Sequence, residues 1–84
     1  MNVDELQGFV VAELGPRMER LDLTSADVTR DLDLFSVGLI DSMGFMELLA
    51  AVEKRFGVEI DLDGVDPETL YSIEGLARHV NRRA

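Results

Sequence analysis

Residues 38–56 read Gly-Leu-Ile-Asp-Ser-Met-Gly-Phe-Met-Glu-Leu-Leu-Ala-Ala-Val-Glu-Lys-Arg-Phe, and this stretch decides the fold. At about 100° per residue, five apolar residues spaced i, i+3, i+4, i+7 and i+11 share one side of a helix. They are Phe45, Leu48, Leu49, Val52 and Phe56. This spacing is typical of a helix that packs against a core. Asp41 is a favoured N-cap, because its carboxylate accepts free N–H groups of the first turn. The sequence therefore predicts a helix that begins at Ser42.

A second apolar stripe lies nearly opposite the first on the same predicted helix. It consists of Met43, Met46 and Ala50, with Glu47 close beside them. Methionine suits a contact surface that accepts different partners, so this stripe is predicted to bind partner proteins. The alternative is that the two methionines add to the core. Ser42 lies at the N-terminus of this helix, where free N–H groups and the helix dipole favour a bound or attached anion.

The segment before Ser42 predicts one helix and a long loop. Residues 3–14 carry apolar side chains at helical spacing, and Gly15-Pro16 should end or kink this helix. The Ser/Thr-x-x-acid pattern at residues 24–27 indicates a capping box and one helical turn. In the loop that follows, the apolar residues show no sustained helical or strand spacing. Its expected anchors in the core are Leu32, Leu34, Phe35 and Ile40.

After Phe56, two more helices are predicted. Gly57 is a natural residue for the end of the Ser42 helix, and Asp66-Pro67 begins a short third helix. Ser72 caps a final helix with an apolar stripe formed by Ile73, Leu76, Ala77 and Val80. The expected fold is all-α. It is a four-helix bundle with a short third helix and a long loop between helices 1 and 2.

Composition limits the classes of function. The 84 residues predict a single domain, 1–84, and a net charge of −9 argues against binding nucleic acid and favours basic partner surfaces. We expect no membrane span and find no signal-peptide pattern. The absence of cysteine excludes disulfides and fits a cytoplasmic location. We expect a monomer.

Catalytic and metal sites are not expected. A catalytic serine needs an adjacent base, and His79, the one histidine, belongs to the final helix, where its i±4 positions offer no second metal ligand. Residues 59–64 resemble the start of a calcium loop with acids at positions one, three and five and glycine at six. Position twelve is Leu70 rather than the bidentate Glu that calcium requires. An acidic, solvated loop is the better interpretation.

Three segments together resemble the acyl carrier protein family: Gly38-Leu39-Ile40-Asp41-Ser42-Met43, Glu47-Leu48-Leu49 and Phe56-Gly57-Val58-Glu59-Ile60. The resemblance covers essentially the whole chain. It implies that Ser42 carries a covalent 4′-phosphopantetheine arm whose thiol holds a cargo as a thioester, and that Asp41 helps a transferase to recognise the site. It also implies a carrier without catalytic activity of its own, which would be modified as a phosphoprotein.

The resemblance implies three kinds of partner, which are a phosphopantetheinyl transferase, an acyl- or aminoacyl-loading ligase and a downstream synthase or transferase. Partner contacts are expected at Met43, Met46, Glu47 and Ala50. The segment 39–44 is similar to D-alanyl carrier proteins and to discrete acyl, aminoacyl or peptidyl carriers of natural-product pathways. Fatty-acid carriers often have an acidic residue where Gly44 stands. We favour a natural-product pathway on the arginine-rich composition. The D-alanyl and fatty-acid carriers are alternatives, and an interaction-only helical module is the competing class.

Overall fold

Four α-helices and one short 3-10 helix form the regular structure of a computed structural model that describes residues 2–83, with the side chains of residues 2–81. The helices are α1 (Val3–Glu13), α2 (Gly15–Arg20), α3 (Ser42–Phe56) and α4 (Ile73–Arg83), and the 3-10 helix is Pro67–Leu70. Within residues 2–83 there is no β-strand, so the predicted all-α fold is confirmed. The short third helix is a single 3-10 turn. No helix in this part of the chain is long and apolar enough to cross a membrane.

The first predicted helix is kinked rather than ended at Gly15-Pro16. Pro16 has no N–H to donate to the carbonyl four residues earlier, so the helical ladder is interrupted there. Leu14 lies between the two helices with φ −93° and ψ 3°, and the chain then resumes as α2. Met18 of α2 is buried, whereas Leu21, the residue that follows α2, is 43% exposed. The kink therefore lets the apolar stripe of α1 continue for one more turn.

The helix ends follow the predicted capping pattern. α3 ends at Gly57, whose φ of 66° lies in the left-handed region that a glycine adopts without a steric penalty. The Glu53 carboxylate then accepts the Ile60 N–H at 2.8 Å, which directs the departing chain back along α3. Side chains cap three further helices as predicted: Asn2 for α1, Asp66 for the 3-10 helix and Ser72 for α4.

One apolar cluster joins the helices and the long loop. It contains Leu6, Val10, Leu14, Met18, Val28, Leu34, Leu39, Ile40, Phe45, Leu48, Leu49, Val52, Leu70, Ile73, Leu76, Ala77 and Val80. Three residues predicted for the core, Leu32, Phe35 and Phe56, are only half-buried. Phe56 is the last residue of α3 and packs edge-to-face on Phe9 at 5.6 Å between ring centroids. The Phe35 ring centroid lies 4.1 Å from that of Tyr71, so both rings cover the core from outside.

The loop of residues 21–41 is held at several points by hydrogen bonds. The Leu34 N–H donates to the Tyr71 carbonyl at 2.9 Å, and the Glu74 N–H donates to the Arg30 carbonyl at 2.9 Å. The loop also inserts two fully buried anchors, Val28 and Leu39, beyond those predicted. Pinning by its own apolar residues explains how a loop of this length persists in a small bundle.

The predicted capping box at residues 24–27 forms a hydrogen-bonded turn and not a helix. Asp27 accepts hydrogen bonds from the Thr24 N–H at 2.8 Å and from the Thr24 hydroxyl at 3.1 Å. These bonds lower the pKa of the Asp27 carboxyl, because they favour its ionised form. A lowered pKa in the folded state makes a contribution to stability that is present above the unfolded pKa. That contribution is lost as the pH falls through the folded value.

The two faces of α3 predict different costs of truncation. Phe45 is 6% exposed and Met46 is 54% exposed. Phe45→Ala should lower the free energy of unfolding by about 3–5 kcal/mol, because it removes a buried ring and leaves a cavity. Met46→Ala should change the free energy of unfolding by less than about 1 kcal/mol. Urea unfolding of the two variants measures both values, and equal losses would contradict this division of faces.

Candidate functional site

The start of α3 is fixed by Asp41. This residue is extended, with φ −116° and ψ −176°, and its Oδ1 accepts the Gly44 N–H at 2.7 Å. Its carbonyl accepts the Phe45 N–H at 2.7 Å, which is the first hydrogen bond of the helix. Just before it, Leu39 and Ile40 are buried and anchor the incoming chain in the core. The helix therefore begins at Ser42, as predicted, with the capping carboxylate directly before it.

The Ser42 side chain is exposed at this helix start. Among the described residues, no group hydrogen-bonds its hydroxyl. Other serines differ: the Ser36 hydroxyl donates to the Asp33 carbonyl at 2.8 Å, and the Ser72 Oγ accepts the Gly75 N–H at 3.0 Å. Ser42 thus presents an accessible oxygen where the positive end of the helix dipole favours a phosphate.

The four residues predicted to meet partners share one exposed face of α3. Met43 is 73% exposed and Met46 is 54% exposed, and Glu47 and Ala50 are also exposed. At about 100° per residue, the four lie within an arc of roughly 100°, opposite the buried side chains of the same helix. The alternative that the methionines belong to the core is wrong. We call Met43, Met46, Glu47 and Ala50 the methionine face.

The Arg17 side chain of α2 reaches the start of α3, which the sequence did not indicate. An open groove next to Asp41 is lined by Arg17, Arg20, Leu21, Gly38 and Asp41. The Arg17 Nη1 donates to the Leu39 carbonyl at 3.3 Å. The two residues are separated by 22 positions, so no local spacing could reveal this contact. The one feature of the sequence that could have indicated a close contact here was Gly44, a glycine near the start of an otherwise regular helix.

Within the described residues, no general base makes a hydrogen bond to the Ser42 hydroxyl. His79 is half-buried on α4, and its Nε2 lies 3.1 Å from the Asp61 carbonyl oxygen. Across the described part of the chain, no three His, Asp or Glu side chains gather into a metal site. What the arrangement offers is an accessible hydroxyl at the positive end of a helix. A hydroxyl of this kind can accept a phosphoryl group when another protein supplies the base.

Comparison with protein families assigns the chain to a class. A family model described as "Phosphopantetheine attachment site" matches residues 18–80, which include the whole of α3. The chain therefore belongs to the family of phosphopantetheine-dependent carrier proteins. Its cofactor is 4′-phosphopantetheine, attached covalently to a serine. An exposed serine at the positive end of a long helix fits this group.

Similar proteins include several D-alanyl carrier proteins. One from Lacticaseibacillus casei (strain BL23) is 44% identical over 48 residues, which cover 54% of this chain and 59% of that protein. D-alanyl carrier protein 1 of Lactiplantibacillus plantarum is 34% identical over 62 residues, covering 71% of this chain and 70% of that protein. The match to the Lacticaseibacillus casei protein thus spans less than two thirds of its length. No solved structure matches the chain.

The N-cap of α3 predicts a measurable stability difference. Asp41→Ala should lower the free energy of unfolding by about 1 kcal/mol, because the Gly44 N–H loses its acceptor. Asp41→Asn keeps a capping oxygen and should stay close to the parent protein. Urea unfolding of both variants checks this, and equal losses in the two would show that the carboxylate charge, rather than the cap, stabilises the helix start.

Proposed function

We propose that Ser42 carries the phosphopantetheine arm and that the protein is a carrier that holds an aminoacyl group as a thioester. The observation that carries the proposal is the exposed Ser42 hydroxyl at the first residue of α3. Ser36 and Ser72 are less suitable, because each already makes a local hydrogen bond. Ser25 is exposed, but it lies in a turn and has no helix dipole behind it.

The proposed attachment needs a second protein. In the transfer, the Ser42 Oγ bonds to the phosphorus of the pantetheine phosphate of coenzyme A. The bond to the nucleotide breaks, and the adenosine 3′,5′-bisphosphate leaves. The hydroxyl proton passes to a base on the phosphopantetheinyl transferase. Once bound, the arm supplies a terminal thiol that forms the thioester. The chain itself supplies attachment and orientation, so we propose that it is non-catalytic.

The proposed cargo follows from the relatives. Similar proteins from four bacterial genera are named D-alanyl carrier proteins, which favours an amino acid, and D-alanine first. A natural-product pathway is the second candidate, supported by the composition, in which Lys54 is the one lysine beside seven arginines. In either case the proposed partners include a loading ligase and a downstream synthase or transferase. We place this single-domain monomer, residues 1–84, in the cytoplasm.

We propose the methionine face as the surface that enzymes recognise. Met43 and Met46 supply exposed apolar area within the first five residues of α3, so they lie beside the arm on Ser42. Glu47 adds a negative charge to the same face. The net charge of −9 would attract basic partner surfaces and speed their encounter. Asp41 stands next to Ser42 and would help the transferase to recognise the site.

Substitution of the serine tests the attachment. Incubation with coenzyme A and a broad-specificity phosphopantetheinyl transferase should add one arm to the parent protein and none to Ser42→Ala. Ser25→Ala is the matched control, because it removes another exposed serine whose hydroxyl makes no hydrogen bond among the described residues, and it should be modified fully. Intact mass measures the product. An arm on Ser42→Ala would reject the site, and a parent protein that takes no arm would favour an interaction-only module.

Charge reversal tests the docking surface. Glu47→Arg should slow the transferase reaction, and the parent rate should fall as salt is added, because rim charges act mainly on encounter. Met46→Glu should slow the reaction by removing apolar contact while leaving the melting temperature nearly unchanged. Glu59→Arg makes the same change of charge beyond the far end of α3 and serves as the control. Parent-like rates for both Glu47→Arg and Met46→Glu would reject this face.

A further inference from the structure

Gly44 is buried in the first turn of α3, and a side chain there would displace the end of the Arg17 side chain. A β-carbon at this position would lie 3.0 Å from Cζ and Nη2 of Arg17 and would overlap its Nη1. The guanidinium of Arg17 therefore lies directly over the bare Cα of Gly44. Glycine is unfavourable inside a helix, since it gains no side-chain contact and loses more backbone entropy than alanine. At position 44, the Arg17 guanidinium occupies the space that a β-carbon would take.

The same guanidinium also holds the chain that leads to Ser42. Its Nη1 donates to the Leu39 carbonyl at 3.3 Å, three residues before the serine. Arg17 is half-buried, and Leu39 is fully buried. A guanidinium is planar and carries five donors in a fixed fork, so one side chain can pack against a backbone with its face and bond a carbonyl with its edge. Arg17 thus contacts both sides of the Asp41-Ser42 segment.

We infer that Arg17 is a positioning residue for Ser42, and that Gly44 is glycine because the guanidinium needs its space. The inference rests on the proposed attachment at Ser42. Arg17 belongs to α2, so this contact ties the serine segment to a helix on the other side of the loop. A reacting oxygen displaced by about 1 Å from its productive position can cost a large factor in rate. Without Arg17, the segment would spend less time in the arrangement that the transferase accepts.

A double-mutant cycle tests the contact between the two residues. The methyl group of Gly44→Ala would displace the guanidinium, so this variant should gain less stability than alanine usually gives inside a helix. In an Arg17→Met background the same change should be more stabilising, since the obstructing group is gone. Gly8→Ala is the matched control: Gly8 is exposed in α1 with nothing near its missing β-carbon. Equal effects of Gly44→Ala in both backgrounds would overturn the contact, and urea unfolding measures them without any transferase.

Transfer kinetics separate positioning from stability. At a temperature where circular dichroism shows all variants folded, Arg17→Met should lower kcat/KM for arm transfer by roughly fivefold, the size of one lost hydrogen bond. Gly44→Ala should slow transfer as well, but it should add nothing to Arg17→Met. Gly8→Ala should react at the parent rate. Amide resonances of residues 38–44 should shift in Arg17→Met.

Parent-like kinetics and unshifted resonances in Arg17→Met would overturn the positioning role, even if the variant is less stable. Additive kinetic losses in the double variant would also overturn it. A parent protein that takes no arm would instead reject the proposed function. The unfolding cycle would still report on the contact between Arg17 and Gly44 in that case. The failure of one proposal is therefore distinguishable from the failure of the other.

Discussion

The hydrogen bond from the Gly44 N–H to the Asp41 carboxylate, 2.7 Å long, determines where α3 begins. The position of every group at the candidate site depends on that start. It makes Ser42 the first helical residue, and the later side chains follow at about 100° intervals. The helix that begins at this cap buries Phe45, Leu48, Leu49 and Val52 on one side.

The two sides of α3 have different roles: one side is buried and stabilises the fold, and the other is exposed to solvent. Its buried side joins the cluster formed by α1, α4 and the loop, while the opposite side leaves two methionines in solvent. An exposed side chain that contributes little to stability can be selected for binding without a loss of stability. This division is consistent with the family assignment, because a carrier must keep its attachment serine accessible without loosening its bundle.

Local patterns predicted the helices and their caps, because the spacing of α3 and the residues Asn2, Asp41, Asp66 and Ser72 act within a few positions. The kink at Pro16 was predictable for the same reason. Which residues of the long loop are buried could not be predicted in this way. Val28 and Leu39 are buried by contacts with distant elements, and their positions follow no helical or strand spacing. Arg17 was missed because it meets Leu39 and Gly44 only after the chain has folded back. At the candidate site, Ser42 and the methionine face could be predicted from the sequence, whereas Arg17 could not.

The exposure of Met43 has a consequence for redox chemistry. A thioether that is 73% exposed is open to peroxide, whereas the buried Met18 is shielded by its neighbours. Oxidation to the sulfoxide would replace an apolar side chain by a polar one at the residue next to Ser42, while the core stays intact. On the docking surface proposed here for Met43, such a protein would fold and melt normally and still bind its partners poorly. Oxidation at this position would then be detected by a partner enzyme rather than by a folding assay.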